Sequence, residues 1–231
     1  MKEEIKWCAI GDSFTYLNDH LDETDNRVEK GYLTRTCEYF SNLSVINIGM
    51  NGSSTPDWVN AELPEADLYT VLLGTNDWHG GVPLQKEDFV QKKEGTILGN
   101  MGILISHIRQ KAPNAALLVM NPVERGDFVY ILDPFNNALG SYMPDQGQWL
   151  SDIAEGIYET CCEEGIPALN LHDLSGITPE NVVRFKWVKT QDGYRKLPYP
   201  EYTKISVQFG EDEYPYPEEA LILPTMASSL R

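Results

Sequence analysis

A chain of 231 residues, 42% hydrophobic and 10% aromatic, carries enough apolar material for one full core, which excludes wholesale disorder and dependence on disulfide or metal staples. Eighteen basic against thirty-five acidic side chains leave a formal charge of −17, which repels nucleic acid and anionic lipid surfaces and leaves neutral or weakly polar small molecules as the fitting partners. No apolar run approaches the roughly 18 residues of a bilayer span. Cys8, Cys37, Cys161 and Cys162 show no repeated CxxC spacing and read as reduced core thiols. The start Met-Lys-Glu-Glu-Ile lacks the features of a secretory leader, so the expected compartment is the cytoplasm, or outside the cell or in the periplasm if a leader has been removed.

The first apolar run, Ile5 to Ile10, has strand length and ends in Gly11-Asp12-Ser13. Glycine allows a sharp turn there, Asp12 can hold the turn through backbone N–H groups, and Ser13 then stands where a strand gives way to a helix. The polar stretch Asn18 to Glu29 reads as a surface loop or short helix, followed by a helical pattern from Gly31 to about Phe40. Ser44 to Ile48 is a second strand, closed by a loop with glycines at 49 and 52; Leu68 to Leu73 is a third, closed by Gly74-Thr75-Asn76-Asp77. Ile97, Met101, Leu104 and Ile108 recur at helical spacing, Ala115 to Met120 is a fourth strand, Leu150, Ile153, Ile157 and Cys161 mark a second long helix, and Pro167 to Leu171 is a fifth strand. This alternation predicts an α/β fold with a parallel, doubly wound sheet. From about Ser175 the rhythm stops, and a proline- and tyrosine-rich segment with Tyr194, Tyr199, Tyr202, Tyr214 and Tyr216 reads as extended loop. One domain is expected over 1–231, with its core at about 5–175 and an irregular or truncated segment at about 176–231.

Loops after parallel strands leave one edge of the sheet, so Ser13, the Gly49–Gly52 loop and Asn76 can converge. Acyl transfer needs an exposed hydroxyl and donors aimed at a developing oxyanion, and the N–H groups of Ser13 and Gly52 with the Asn76 amide can supply three. A side chain at position 52 would be expected to obstruct substrate approach. Gly11-Asp12-Ser13, Asn47-x-Gly49-x-x-Gly52 and Gly74-x-Asn76-Asp77 together resemble the first three blocks of the SGNH (GDSL-type) hydrolases. The resemblance implies a flavodoxin-like three-layer α/β/α sandwich, a five-stranded parallel sheet of order 2-1-3-4-5, Ser13 as nucleophile, an oxyanion hole of Ser13, Gly52 and Asn76, and no metal or organic cofactor.

The family's late Asp-x-x-His-Pro block has no counterpart, since no histidine follows His172. A serine without a base is a poor nucleophile at neutral pH. His79, three residues past Asn76, is the substitute base to test; His172 lies on the same edge, and His20 and His107 read as loop and helix-surface residues. Ala220 to Leu223 resembles the strand leading into the missing block, and the tail Pro224 to Arg231 reads as a frameshifted or truncated end. An uncovered sheet face would then favour a homodimer or a loosely held C-terminus. The expected function is hydrolysis of a small acyl ester, with carbohydrate deacetylation as the narrower expectation, Trp58, Trp78 and the tyrosines offering stacking surfaces. The alternative is a catalytically impaired domain of the same fold that binds an acyl or sugar ligand. A third reading, a phosphate or nucleotide binder using the N–H groups of the Gly49–Thr55 loop, is opposed by the lack of an accompanying basic residue and by the net charge.

Overall fold

The computed structural model describes residues 4–24, 29–124, 147–177, 185–190 and 193–198. Five runs form the parallel sheet: β1 (Ile5–Gly11), β2 (Leu43–Asn47), β3 (Leu68–Leu72), β4 (Ala116–Met120) and β5 (Ala168–Leu169), in the order β2-β1-β3-β4-β5. The helices between them are α1 (Ser13–Tyr16), α2 (Tyr32–Tyr39), α3 (Thr75–Gly80), α4 (Asp88–Gln91), α5 (Ile97–Lys111), α6 (Leu150–Glu163) and α7 (Leu171–Leu174). This is the α/β fold expected from the sequence, including the strand order.

Alternation along each strand decides which helix covers which face. Cys8 and Ile10 of β1, Tyr69 and Val71 of β3 and Val119 of β4 join one core cluster with the inward residues of α5 and α6. There Ile97, Met101, Leu104 and Ile108 of α5 and Leu150, Ile153, Ile157 and Cys161 of α6 are all buried, as their spacing predicts. Each such side chain contributes roughly 1.5–3 kcal/mol by leaving water. The intervening residues Trp7 and Ala9 turn to the other face and meet Leu33 of α2. An apolar groove of about 340 Å³ runs along that second face, with Tyr32, Leu72, Leu118, Met120 and Leu169 among its walls.

Register brings the loops that carry the candidate residues to one edge. Gly11 pairs with Leu72, Leu72 with Met120, and Met120 with Leu169, so these strands end level and their following loops leave the same side. The reversal of strand order between β1 and β3 opens the crevice there. A Cβ on Gly11 would stand 2.1 Å from Thr15 Oγ1 and 3.0 Å from the Leu72 carbonyl oxygen, so only glycine lets α1 turn back so tightly onto the sheet.

The described part of the polar stretch after α1 forms two short 3-10 helices, Leu17–Asp19 and Leu21–Thr24, within the loop or short helix expected there. Other details differ from the sequence expectation. Strand β5 is short because Asn170 leaves the ladder and caps α7, its side-chain oxygen accepting from Asp173 N at 3.2 Å. Within the segment read as irregular, β6 (Phe185–Thr190) and β7 (Gly193–Pro198) form an antiparallel hairpin. Tyr199, Tyr202, Tyr214, Tyr216, the Ala220–Leu223 run and the tail to Arg231 lie outside the described residues. All four cysteines are free. Burial pushes the thiols of Cys8 and Cys161 up to about 12, whereas Cys37 is half-buried and Cys162 exposed, so only the first two are core thiols. No helix among the described residues is long and apolar enough to cross a membrane.

Candidate active site

The turn after β1 is built by Asp12. Its buried side chain accepts from Phe14 N at 3.0 Å and its carbonyl from Thr15 N and Tyr16 N at 3.1 and 3.0 Å, which caps α1 as its residue type predicts. Ser13 is thereby the first residue of α1, half-buried, and among the described residues nothing hydrogen-bonds its hydroxyl. Asn47 at the end of β2 pins the far end of α1: its Nδ2 donates to the Thr15 carbonyl at 2.8 Å while its Oδ1 accepts from Gly49 N at 3.0 Å.

Gly52 is exposed, with φ +74° and nothing within 4 Å of the place a Cβ would occupy. Left-handed backbone, not crowding within the protein, is what demands glycine there. Ser53 then joins three segments. Its hydroxyl donates to the Gly11 carbonyl at 3.3 Å and accepts from Trp58 Nε1 at 3.2 Å, and its carbonyl accepts from Asn76 Nδ2 at 2.9 Å. Met50 N also donates to the Gly11 carbonyl, at 3.0 Å. The strand end two residues before Ser13, the Gly52 loop and Asn76 therefore form one hydrogen-bonded unit. One N–H of the Asn76 amide is used in it, leaving the second for a ligand.

Behind this surface lies a buried polar cluster that sequence reasoning did not single out. Asp77 is 0% exposed and its carboxylate accepts from Thr55 N at 3.0 and 3.1 Å and from Thr55 Oγ1 at 2.6 Å. Asn100 Nδ2 of α5 donates to Thr55 Oγ1 at 3.1 Å. Burial pushes Asp77 up to about 6 against the opposing pull of the Thr55 hydrogen bonds. A carboxyl whose folded pKa is raised binds its proton more tightly when folded. That stability is fully present below its ordinary pKa near 4 and is lost as pH rises through about 6. Urea unfolding of the chain and its Asp77→Asn variant should therefore diverge between pH 4 and 7. The native chain loses on the order of 1–3 kcal/mol relative to the variant across that window, and a difference independent of pH would refute the assignment.

The histidines are placed differently. His79 is exposed in the last turn of α3, three residues after Asn76 and so on a neighbouring part of the same helix surface. His172 is tied to the loop after β4: Nδ1 lies 3.1 Å from the Pro122 carbonyl, Nε2 lies 3.9 Å from Glu124 Oε2, and its backbone N donates to Asn121 Oδ1 at 2.9 Å. His20 stacks on Tyr16 with centroids 3.9 Å apart and pairs with Glu23, and His107 sits half-buried on α5. Trp58 and Trp78, expected as stacking surfaces, are 2% and 1% exposed and belong to the core. Trp78 Nε1 is taken by the Gln148 carbonyl at 3.1 Å, so neither ring offers a face to a sugar. Among the described residues no group of three or more His, Cys, Asp or Glu is arranged to hold a metal.

Residues 9–187 match a family model described as the GDSL-like Lipase/Acylhydrolase family. The chain is also similar to a crystal structure described as a possible lipase from Chitinophaga pinensis DSM 2588, at 39% identity over 98% of this chain and 96% of that one, with a TM-score of 0.75. A crystal structure of a protein from Lactobacillus plantarum shares the fold at 19% identity, covering 78% of this chain and 83% of that one, with a TM-score of 0.51. No curated protein matches the chain.

Proposed function

Because the chain belongs to the GDSL-like lipase/acylhydrolase family, we propose that it hydrolyses a small acyl ester with Ser13 as nucleophile. The observation that carries the reading is the unit linking Gly11, Ser53 and Asn76, which brings the loops bearing Ser13 and Gly52 to the Asn76 amide. In this reading the Ser13 hydroxyl oxygen attacks the ester carbonyl and an acyl-enzyme forms as the alcohol leaves. The N–H groups of Ser13 and Gly52 and the remaining N–H of Asn76 receive the oxyanion. His79 takes the Ser13 proton and returns it to the leaving alcohol. Its support is its place on α3 beside Asn76.

Carbohydrate deacetylation is the narrower form of the proposal. It loses the support of Trp58 and Trp78, so it rests on direct comparison of substrates. The test is hydrolysis of a short-chain aryl acetate, a longer aryl ester and an acetylated oligosaccharide over pH 6 to 9, for the chain and its His79→Ala and His172→Ala variants. Expected are a preference for the acetate over the longer ester and a rate that rises with pH across that range, with that rise lost in His79→Ala alone. A profile unchanged in His79→Ala removes His79 as base, and loss in His172→Ala transfers the role. A second reading, favoured by the absence of an Asp-x-x-His-Pro block from these 231 residues, is a catalytically impaired domain that binds the acyl or sugar ligand. Turnover no faster than buffer, with ester binding retained, would establish it.

A further inference from the structure

The geometry points to Asp77 and Thr55 as the positioning pair that sets the Gly52 N–H against the Asn76 amide, an inference resting on the ester-hydrolase reading above. Asp77 directly follows Asn76 and Thr55 comes three residues after Gly52, so a bond between them ties together the two segments that carry the donors. Two independent bolts cross that gap. One is Asn76 Nδ2 to the Ser53 carbonyl at 2.9 Å. The other is the Thr55 N–H and hydroxyl closing on the Asp77 carboxylate at 2.6 to 3.1 Å. A single bolt leaves a pivot, whereas two fix relative orientation as well as distance.

The second bolt is a stiff one. Thr55 and Asn100 are each 1% exposed, and the Thr55 hydroxyl is satisfied on both sides, donating to Asp77 and accepting from Asn100 at 3.1 Å. That second contact references the pair to α5, the long helix packed under the sheet. With 0% exposure Asp77 cannot touch substrate, so its effect on the reaction passes through Asn76 and Gly52. Oxyanion donors act only when held close to the position the charge will occupy, and misplacement by about 1 Å costs on the order of 10²-fold in rate.

The test compares Thr55→Val, which removes the hydroxyl at nearly constant shape, with Thr55→Ser, which restores it, and with Asp77→Asn. Each is followed by aryl acetate kinetics, by unfolding, and by the amide resonances of Gly52 and of the Asn76 side chain. Thr55→Val is expected to lower kcat by about 10 to 100-fold while KM stays within about twofold, and Thr55→Ser to recover most of the loss. In Thr55→Val the Gly52 and Asn76 amide signals shift, and in Thr55→Ser they return. A folded Thr55→Val with unchanged kcat and unmoved resonances overturns the inference, as does loss that tracks only the unfolded fraction and is not rescued by serine. If Thr55→Val does not fold, Asp77→Asn carries the same kinetic and spectral expectations. If the unaltered chain shows no turnover, the ester-hydrolase reading fails, and the resonances alone still decide whether the pair sets the two donors.

Discussion

Ser13→Ala is expected to reduce turnover of a short-chain aryl acetate by about 10³-fold or more, to the buffer rate, with its unfolding midpoint in urea unchanged. The reason for both halves lies in the turn. The hydroxyl accepts and donates no hydrogen bond among the described residues, so its removal leaves no buried partner unsatisfied. Asp12 still caps α1 through Phe14 N, and Gly11 still gives the tight return. Chemistry is expected to be lost because the proposed acyl-enzyme forms on the Ser13 hydroxyl. Residual rate in the variant would come from the oxyanion donors alone. Equal rates in the chain and the variant would sink the assignment of Ser13 and favour the binding-domain reading.

Asn76→Ala is the second large effect, with kcat for the same ester falling by about 10² to 10³-fold and KM changing little. A donor used only as negative charge develops lowers the barrier without strengthening ground-state binding. The variant also loses the bond to the Ser53 carbonyl at 2.9 Å, so about 1 kcal/mol of stability goes with it. Activity and stability therefore fall together, but by unequal amounts. Unfolding at the assay temperature separates them, because about 1 kcal/mol leaves the chain predominantly folded while the rate loss persists. A rate loss no larger than the loss of folded protein would mean that Asn76 is a bracket for the Gly52 loop and not an oxyanion donor.

Much of this architecture is legible in the sequence because it is written at short range. The largely apolar runs Ile5 to Ile10 and Leu68 to Leu73 mark strands buried on both faces over most of their length, and the structure forms β1 and β3 there. The spacing of Ile97, Met101, Leu104 and Ile108 marks the buried stripe of α5. The hairpin of β6 and β7 also had a local signal, the Asp192-Gly193 pair between two runs of mixed polarity, which the high content of proline and tyrosine around it obscured.

Other features depend on meetings that no local pattern records. Trp58 and Trp78 are expected from the sequence as stacking surfaces near the cleft, and packing with residues of α5 and α6 places both in the core. Position after a strand makes His172 a candidate base, and only the fold sets its ring against the Pro122 carbonyl and Glu124. Gly52 was legible as a necessary glycine, but its reason is a φ of +74°, a consequence of how the loop must turn to deliver Ser53 to Gly11 and Asn76.

Strands, the faces of the long helices and the three loops that carry Ser13, Gly52 and Asn76 can be read from the residues in order, because backbone period and turn chemistry are set by near neighbours. The meeting of Thr55, Asp77 and Asn100 in one buried cluster behind those loops follows from packing alone. Their hydrogen bonds join residues far apart in the chain, and a buried polar group finds its partner only after the sheet has aligned its strand ends.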